Sequence, residues 1–391
     1  MNPVRLPQNP RVLVVILRRL GDVLLTTPVI RSLKRTFPQA SIDAVVFADT
    51  EGVLTGNPDL AEVITIPQRP TALDTISLFV RLFRRYDLAL SVQTGDRPTA
   101  LAVIAGRQSA GPVERAGLAS RIKRVFLTRH YVRDPRQHRV REILRLVEVL
   151  GIKPHDELVC PPAASHGRPV VSQPYAVVHA APMFIYKRWS GDGWRALAAA
   201  LRDRGFAVVV TGAVSDRAYL DEVWRDANVT RLDGDLAWPD LTALIAAARV
   251  YIGPDTAITH LAAASGAPTV AIYGPTDPRL WGPWPVGGLD RPWQAAGTIQ
   301  RRGNVWLVQN PLPCLPCQNE GCERHLASFS RCLDELMPAQ VLQAVDRALD
   351  RALDGVPNAA SDGALAAGMA APRPAVEAGS EVARPSKGRY G

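Results

Sequence analysis

Apolar and polar positions alternate along this chain in two registers: short unbroken apolar runs, and longer segments carrying a helical stripe. Residues 11–17 (R-V-L-V-V-I-L) form an unbroken run, as expected of a strand buried on both faces of a parallel sheet. The polar break R-R-L-G-D at 18–22 follows. Residues 23–37 then carry the spacing of an amphipathic helix, with Pro28 tolerated near its first turns. The pattern predicts further strands at 41–47, 62–67 and 86–92, a helix at 73–85, a loop at 93–96 and a helix at 138–150 closed by Gly151. The second half repeats the alternation, with strands at 175–179 and 206–211 and helices at 191–204, 216–226 and 239–248. The stretch 251–275 supplies two more strands around a helix. A strand is expected at 304–309, and a helix at 338–353 that packs back onto the first half. Alternation of this kind implies an α/β protein with parallel sheets and helices on both faces.

Composition sets the domain plan. A chain of 391 residues accommodates two such domains and a tail. The expected division is 1–152 as a first α/β domain, 153–174 as a Pro-, Ala- and Ser-rich linker, 175–354 as a second α/β domain, and 355–391 as a disordered tail rich in Ala, Gly and Pro. No apolar run is long enough to span a bilayer, and the polar, Pro-containing first ten residues do not read as a signal peptide, so a cytoplasmic location is expected.

The formal net charge is +9, carried mainly by arginine, since only Lys34, Lys123, Lys153, Lys187 and Lys387 are lysines. A basic balance suits anionic partners such as phosphorylated substrates or acidic lipid head groups. No nucleic-acid-binding motif is visible, so no nucleic acid partner is expected. The basic clusters at 81–85 and 115–129 suit contact with an anionic membrane surface, or are simply solvated.

The stretch 251–275 (Y-I-G-P-D-T-A-I-T-H-L-A-A-A-S-G-A-P-T-V-A-I-Y-G-P) joins a strand to a helix start. Asp255 or Thr256 is placed to cap that helix, and Gly266 and Pro268 to end it. A helix start after a strand offers free N–H groups and partial positive charge, which suit a phosphate, and His260 lies within its first turn or so. An ordinary capped strand–helix–strand unit accounts for the same residues. Asp22, at the first strand–helix break, reads as a cap or as a general base for an attacking hydroxyl. Lys187, between two apolar segments, reads as a surface lysine or as a charge that neutralises a diphosphate leaving group.

Neither half contains a G-x-G-x-x-G fingerprint or a P-loop, which argues against dehydrogenases and kinases. Asp233-Gly234-Asp235 is formally a D-x-D, but its central glycine suits a plain turn. Cys314, Cys317, Cys322 and Cys332, with His325 as a spare, supply a donor set for structural zinc or iron, or are reduced thiols in a loop-rich segment. Cys160 stands apart and reads as an inert thiol.

Three segments then add up to a family. R-R-L-G-D-V-L-L-T-T-P-V-I-R-S-L-K (18–34), Y-K-R-W-S (186–190) and G-P-D-T-A-I-T-H-L-A-A-A-S-G-A-P-T-V-A-I-Y-G-P-T-D-P (253–278) resemble, in sequence and in order, the glycosyltransferase family 9 heptosyltransferases. The resemblance covers most of residues 11–350. It implies the GT-B fold, two Rossmann-like domains with parallel sheets facing across a cleft, 1–152 on the acceptor side and 175–354 binding the nucleotide-sugar. It implies inverting transfer of heptose from ADP-heptose to a hydroxyl of the lipopolysaccharide inner core, with no cofactor or metal required for catalysis. By position, Asp22 matches the catalytic base and Lys187 the lysine on the donor phosphates. Asp255, Thr256, Ala257, Ile258 and His260 fall on the donor-binding loop, Leu236 falls beside the adenine, and Gln93 falls in the region facing the acceptor. D-T-A in place of D-T-G, together with L-W-G-P-W at 280–284, looks more like the heptosyltransferase III branch. The cysteine segment is similar to metal-bearing fingers of relatives that glycosylate autotransporter proteins, with different spacing. The implied location is the cytoplasmic face of the inner membrane, held peripherally. Alternatives are a related transferase with another nucleotide-sugar or a protein acceptor, or a non-catalytic sugar-nucleotide-binding protein.

Overall fold

The unbroken apolar runs become the central strands of two sheets. The computed structural model describes residues 3–164, 171–234 and 236–353. The first half runs β1 (Arg11–Ile16), α1 (Leu20–Thr36), β2 (Ser41–Phe47), β3 (Glu62–Ile66), α2 (Ala72–Leu82), β4 (Tyr86–Ser91), α3 (Asp96–Ala105), β5 (Gly106–Val113), α4 (Leu118–Phe126), β6 (Arg129–Val132) and α5 (Arg139–Glu148). These strands form a parallel sheet of order β3-β2-β1-β4-β5-β6.

The second half runs β7 (Tyr175–His179), α6 (Gly191–Asp203), β8 (Ala207–Gly212), α7 (Arg217–Val223), β9 (Thr230–Asp233), α8 (Trp238–Ala246), β10 (Val250–Pro254), α9 (Ala257–Ser265) and β11 (Thr269–Ile272). It continues with α10 (Pro278–Trp281), β12 (Ile299–Arg302), β13 (Val305–Val308), α11 (Arg331–Asp334) and α12 (Pro338–Leu353). The sheet order is β12-β13-β11-β10-β7-β8-β9, parallel except for β12 against β13. Two parallel-sheet α/β halves of this kind make the GT-B architecture.

Both sheets reverse their winding direction once, the first between β1 and β4 and the second between β7 and β10. In open α/β sheets such reversal points open a crevice beyond the strand ends, where ligands bind. Asp22 and Gln93 follow β1 and β4, and Lys187 and Asp255 follow β7 and β10. The topology therefore collects most of the candidate residues at two crevices.

What joins the halves is apolar. One core cluster runs from Val14 and Leu24 of the first half through Leu261 and Ala262 of α9 to Val177 and Val209 of the second sheet, and α1 packs directly on α9. A methyl built on Gly21 in α1 would lie 3.7 Å from the Cα of Ala257 and 3.8 Å from Cδ2 of His260, so the two helix starts face one another closely.

Several elements differ from the sequence expectation. α3, β5, α4 and β6 fill residues 96–132, where only a loop at 93–96 and basic clusters were read. β5 (G-R-Q-S-A-G-P-V) lacks an apolar run, and α4 carries its apolar face outward. The edge strands β9 and β12, rich in polar residues, were also missed. α12 packs on α6 and on β10, β11 and β13, not back onto the first half, because Val341, Ala344, Val345 and Ala348 join the second sheet's core. The expected tail at 355–391 lies outside the described residues.

Candidate active site

A cavity of about 1440 Å³ opens between the two crevices. Asp22, Lys187, Leu236, Asp255, Thr256, Ala257, Ile258 and His260 all line it. Gln93 does not. It lines an adjoining cavity of about 260 Å³ with Arg18, Arg133 and Arg139 of the first half and Trp281 and Gln318 of the second.

Asp22 sits in the first turn of α1 and is 7% exposed. Its Oδ1 lies 3.2 Å from Nε of Arg18 and 3.4 Å from Nε of Arg139, yet accepts no well-directed hydrogen bond. Arg139 is itself braced from α5: its guanidinium donates to Glu142 Oε2 at 2.6 Å and to the Val92 carbonyl at 3.1 Å. The result is a carboxylate positioned by two cations, with acceptor capacity left over at the cleft wall.

Across the cleft, α9 begins at Thr256, whose hydroxyl accepts from the Thr259 N–H at 3.3 Å. Of the two caps the sequence left open, Thr256 is the one formed. Asp255 turns instead to Lys187, whose Nζ lies 2.5 Å from Oδ2, and it accepts from the Thr276 hydroxyl at 2.6 Å. Burial works against an ionised Asp255. The charge and hydrogen bond of Lys187, with help from Thr276, outweigh it and hold the carboxyl below its ordinary value. One of three ammonium donors is spent on Asp255, which leaves two for ligand oxygens beside the open N–H groups of α9.

His260 is buried with no partner on Nδ1. Burial lowers its pKa; Asp255 opposes the shift and Lys187 adds to it. A neutral imidazole therefore stands between the Asp22 side and the Asp255 side. His179, also on the wall, is pushed down to about 4 by burial and is paired with Thr211 at 3.1 Å. Val214, Leu232, Leu236 and Trp238 make an apolar end suited to a planar base. At the mouth, the Arg19 guanidinium lies 4.7 Å from the Phe184 ring centroid, and Phe184 stacks on Tyr186 at 5.2 Å.

Arg18, Arg139, Thr276 and His179 were not singled out in the sequence. The signal for Arg139 was present as a charged pair, Arg139 and Glu142, one turn apart on the buried face of α5.

The two metal candidates fare differently. Asp233 is gripped by Arg231 at 2.8 and 3.0 Å, which lowers its pKa, while Asp235 lies outside the described residues. The D-x-D therefore presents no free carboxylate at its first position. Cys314 and Cys322 are exposed, Cys317 half-buried and Cys332 buried. The Cys332 thiol is pushed up to about 12, first by burial and then by the other three sulfurs, so the four share one neighbourhood. The donor chemistry suits zinc or iron. The arrangement does not: among the described residues no group of three or more His, Cys, Asp or Glu side chains is placed to hold a metal ion. His325, the spare ligand, instead meets Glu323 at 3.0 Å.

The profile of glycosyltransferase family 9 (heptosyltransferase) matches residues 76–288. The chain is 31% identical to lipopolysaccharide heptosyltransferase 3 of Escherichia coli over 289 residues, 68% of this chain and 83% of that protein. In structure it is similar to the glycosyl transferase family 9 protein of Veillonella parvula, with a TM-score of 0.72 and 19% identity, covering 90% of this chain and all of that one. It is also similar to the iron-containing dodecameric glycosyltransferase TibC of enterotoxigenic E. coli, which has been seen in complex with ADP-D-β-D-heptose. There the TM-score is 0.56 with 17% and 16% identity for the two structures, over 90% of this chain and 78% of that one.

Proposed function

Since the chain belongs to glycosyltransferase family 9, the heptosyltransferases, we propose that it transfers heptose from ADP-heptose to a hydroxyl of the lipopolysaccharide inner core, with inversion at the anomeric carbon. One observation carries the reading. A buried carboxylate with spare acceptor capacity, Asp22, faces an ammonium and a helix start, Lys187 and Thr256, across a single cavity.

In this reading the adenine lies toward Leu236 and Trp238, and the diphosphate lies against Lys187 and the N–H groups of α9. The acceptor enters from the side of Gln93. Asp22 takes the proton of the acceptor hydroxyl as its oxygen attacks the anomeric carbon, and the bond to the diphosphate breaks with its electron pair leaving on ADP. Lys187 and the α9 start stabilise the charge that builds on the departing phosphate. His260, neutral and partly unpaired, adds a polar atom to this wall without adding charge. The reaction is read as metal-independent. The cysteine segment is read as reduced thiols outside the reaction, so stoichiometric zinc or iron in the purified protein would overturn that part. Because its acceptor is lipid-linked, the protein is placed at the cytoplasmic face of the inner membrane.

The test is incubation of the protein with ADP-heptose and a panel of truncated core acceptors, reading ADP release and product mass, with and without a chelator. Transfer that Asp22→Asn abolishes supports the reading. Transfer from another nucleotide-sugar, or to a protein, would support the alternative donors and acceptors. Donor binding with no transfer to any acceptor would leave a sugar-nucleotide-binding protein.

A further inference from the structure

Two helices on the first half have their apolar pattern reversed. A helix on a globular surface normally turns its apolar stripe inward. In α4 only Ser120 is buried, while Leu118, Ile122, Val125 and Phe126 are 75%, 48%, 80% and 64% exposed. Their spacing puts them on one face. α2 buries Leu78 and Leu82, but turns Leu73, Ile76 and Val80 outward, followed by Phe83. Both helices pack against α3, on the side of the first sheet where Leu78, Leu82 and Leu101 form a small separate core. Among the described residues, half of the sixteen exposed large apolar side chains lie in these two short segments. The clustering is far from the single scattered positions of an ordinary surface.

The same segments concentrate charge. Residues 69–85 and 115–129 hold nine arginines and lysines, one aspartate (Asp74) and no glutamate, against 46 basic and 37 acidic residues in the whole chain. We propose that the α2–α4 face docks in the plane of an anionic phospholipid bilayer, its apolar side chains entering the acyl boundary and its arginines meeting lipid phosphates. Charge selects this occupant. A second copy would bring like charges together, and nucleic acid would leave the apolar side chains unused. An anionic bilayer satisfies both halves of the pattern.

The face is also tied to the site. Lys123 of α4 pairs with Asp96 at 2.6 Å and donates to the Thr94 carbonyl, in the loop that carries Gln93. Docking through α4 thus brings the acceptor-side cavity to the head-group layer. This last step rests on the functional reading above; the docking itself does not.

The experiment is co-sedimentation of the full-length protein with phosphatidylcholine vesicles, with and without phosphatidylglycerol. The wild-type protein is expected to sediment with the anionic vesicles and to be released by salt. Val125→Glu with Phe126→Glu should lower the partition coefficient at least about tenfold, and Arg115→Glu with Arg121→Glu should lower it and weaken the salt dependence. ADP binding and thermal midpoint should stay at wild-type values in both variants. Wild-type protein left in solution, or variants that sediment equally well, would overturn the proposal. So would sedimentation velocity showing a dimer that Val125→Glu with Phe126→Glu converts to monomer. Transfer to a delipidated, water-soluble core oligosaccharide is measured alongside. Its failure with intact vesicle binding would count against the functional reading alone, and the converse against the docking alone.

Discussion

Replacing Lys187 by methionine tests the proposed donor wall most directly. The ammonium neutralises Asp255, which is only 8% exposed, and the substitution leaves that carboxylate with the Thr276 and Tyr273 hydroxyls and without its paired cation. Breaking a buried pair from one side costs about 3–5 kcal/mol. The lysine side chain is 20% exposed and Thr276 remains, so the lower end, about 3 kcal/mol, is expected. At roughly 2.1 cal/mol/K per residue over about 350 ordered residues, that is a fall of about 4 °C in the melting midpoint.

The loss should also depend on pH. In the wild-type protein Asp255 has a depressed pKa, so its contribution is complete above the unfolded carboxyl value and is lost as pH falls through the folded one. In Lys187→Met, burial is no longer opposed, the carboxyl protonates more readily, and the gap to wild type closes in acid. Asp255→Asn together with Lys187→Met should recover a large part of the loss, because no buried charge is then stranded. ADP affinity, by isothermal calorimetry, should fall about tenfold to a hundredfold, the worth of one charge-assisted contact. A midpoint within about 1 °C of wild type, against the ~4 °C expected, would refute the buried-pair argument. Unchanged ADP affinity would remove Lys187 from the phosphate role.

Other expectations follow from the same geometry. Asp22→Asn should lower kcat about a hundredfold or more while ADP binding stays near wild type; steady-state kinetics and calorimetry together separate these, and a fall in ADP affinity alone would contradict the base role. His138 and His179 are buried neutral, pushed down to about 3 and about 4, so the unfolded chain binds more protons than the folded one below the ordinary histidine range. Stability should then fall by up to about 2.7 kcal/mol per pH unit between roughly pH 6 and 4, and His138→Gln should remove about half of that slope in denaturant titrations. Gly266 ends α9 at φ +87°, with only Val286 near its missing methyl, so Gly266→Ala should cost about 1 kcal/mol through backbone strain alone, checked by urea unfolding.

Most strands were legible because a strand buried on both faces must be apolar throughout. The runs at 11–16, 41–47, 86–91 and 175–179 leave little choice. β5 was not legible. It lies one strand in from the edge of the sheet with Gly106, Arg107, Gln108 and Ser109 at its start, and a methyl on Gly106 would come within 2.4 Å of the Gln108 carbonyl. Its strand state comes from β4 and β6 on either side, not from its own pattern. α4 escaped notice for the opposite reason. Its period is helical, but the single buried residue is Ser120, whose hydroxyl accepts from the Glu114 N–H, so reading the apolar stripe as the core face would have mis-seated it.

The site was legible where one segment carries both the chemistry and the turn that aims it. Asp22, Lys187 and Thr256 each lie just beyond a strand at a reversal point, so a correct strand assignment already placed them at a crevice. Residues whose role depends on a distant partner were not. Asp255 read as a cap because an aspartate before a helix usually is one; that it is a counter-ion depends on Lys187, 68 positions away. Arg139 lies farther still from Asp22, and its aim is set by Glu142 and the Val92 carbonyl. These long-range pairs decide what the site can do. Without Lys187, Asp255 would place a bare carboxylate beside the α9 start and repel the diphosphate proposed to bind there. With it, the same carboxylate orients an ammonium whose remaining donors face the cavity. Asp255 is therefore better understood as the residue that positions Lys187, and Asp255→Asn should weaken ADP binding even though it removes a negative charge from the proposed anion site.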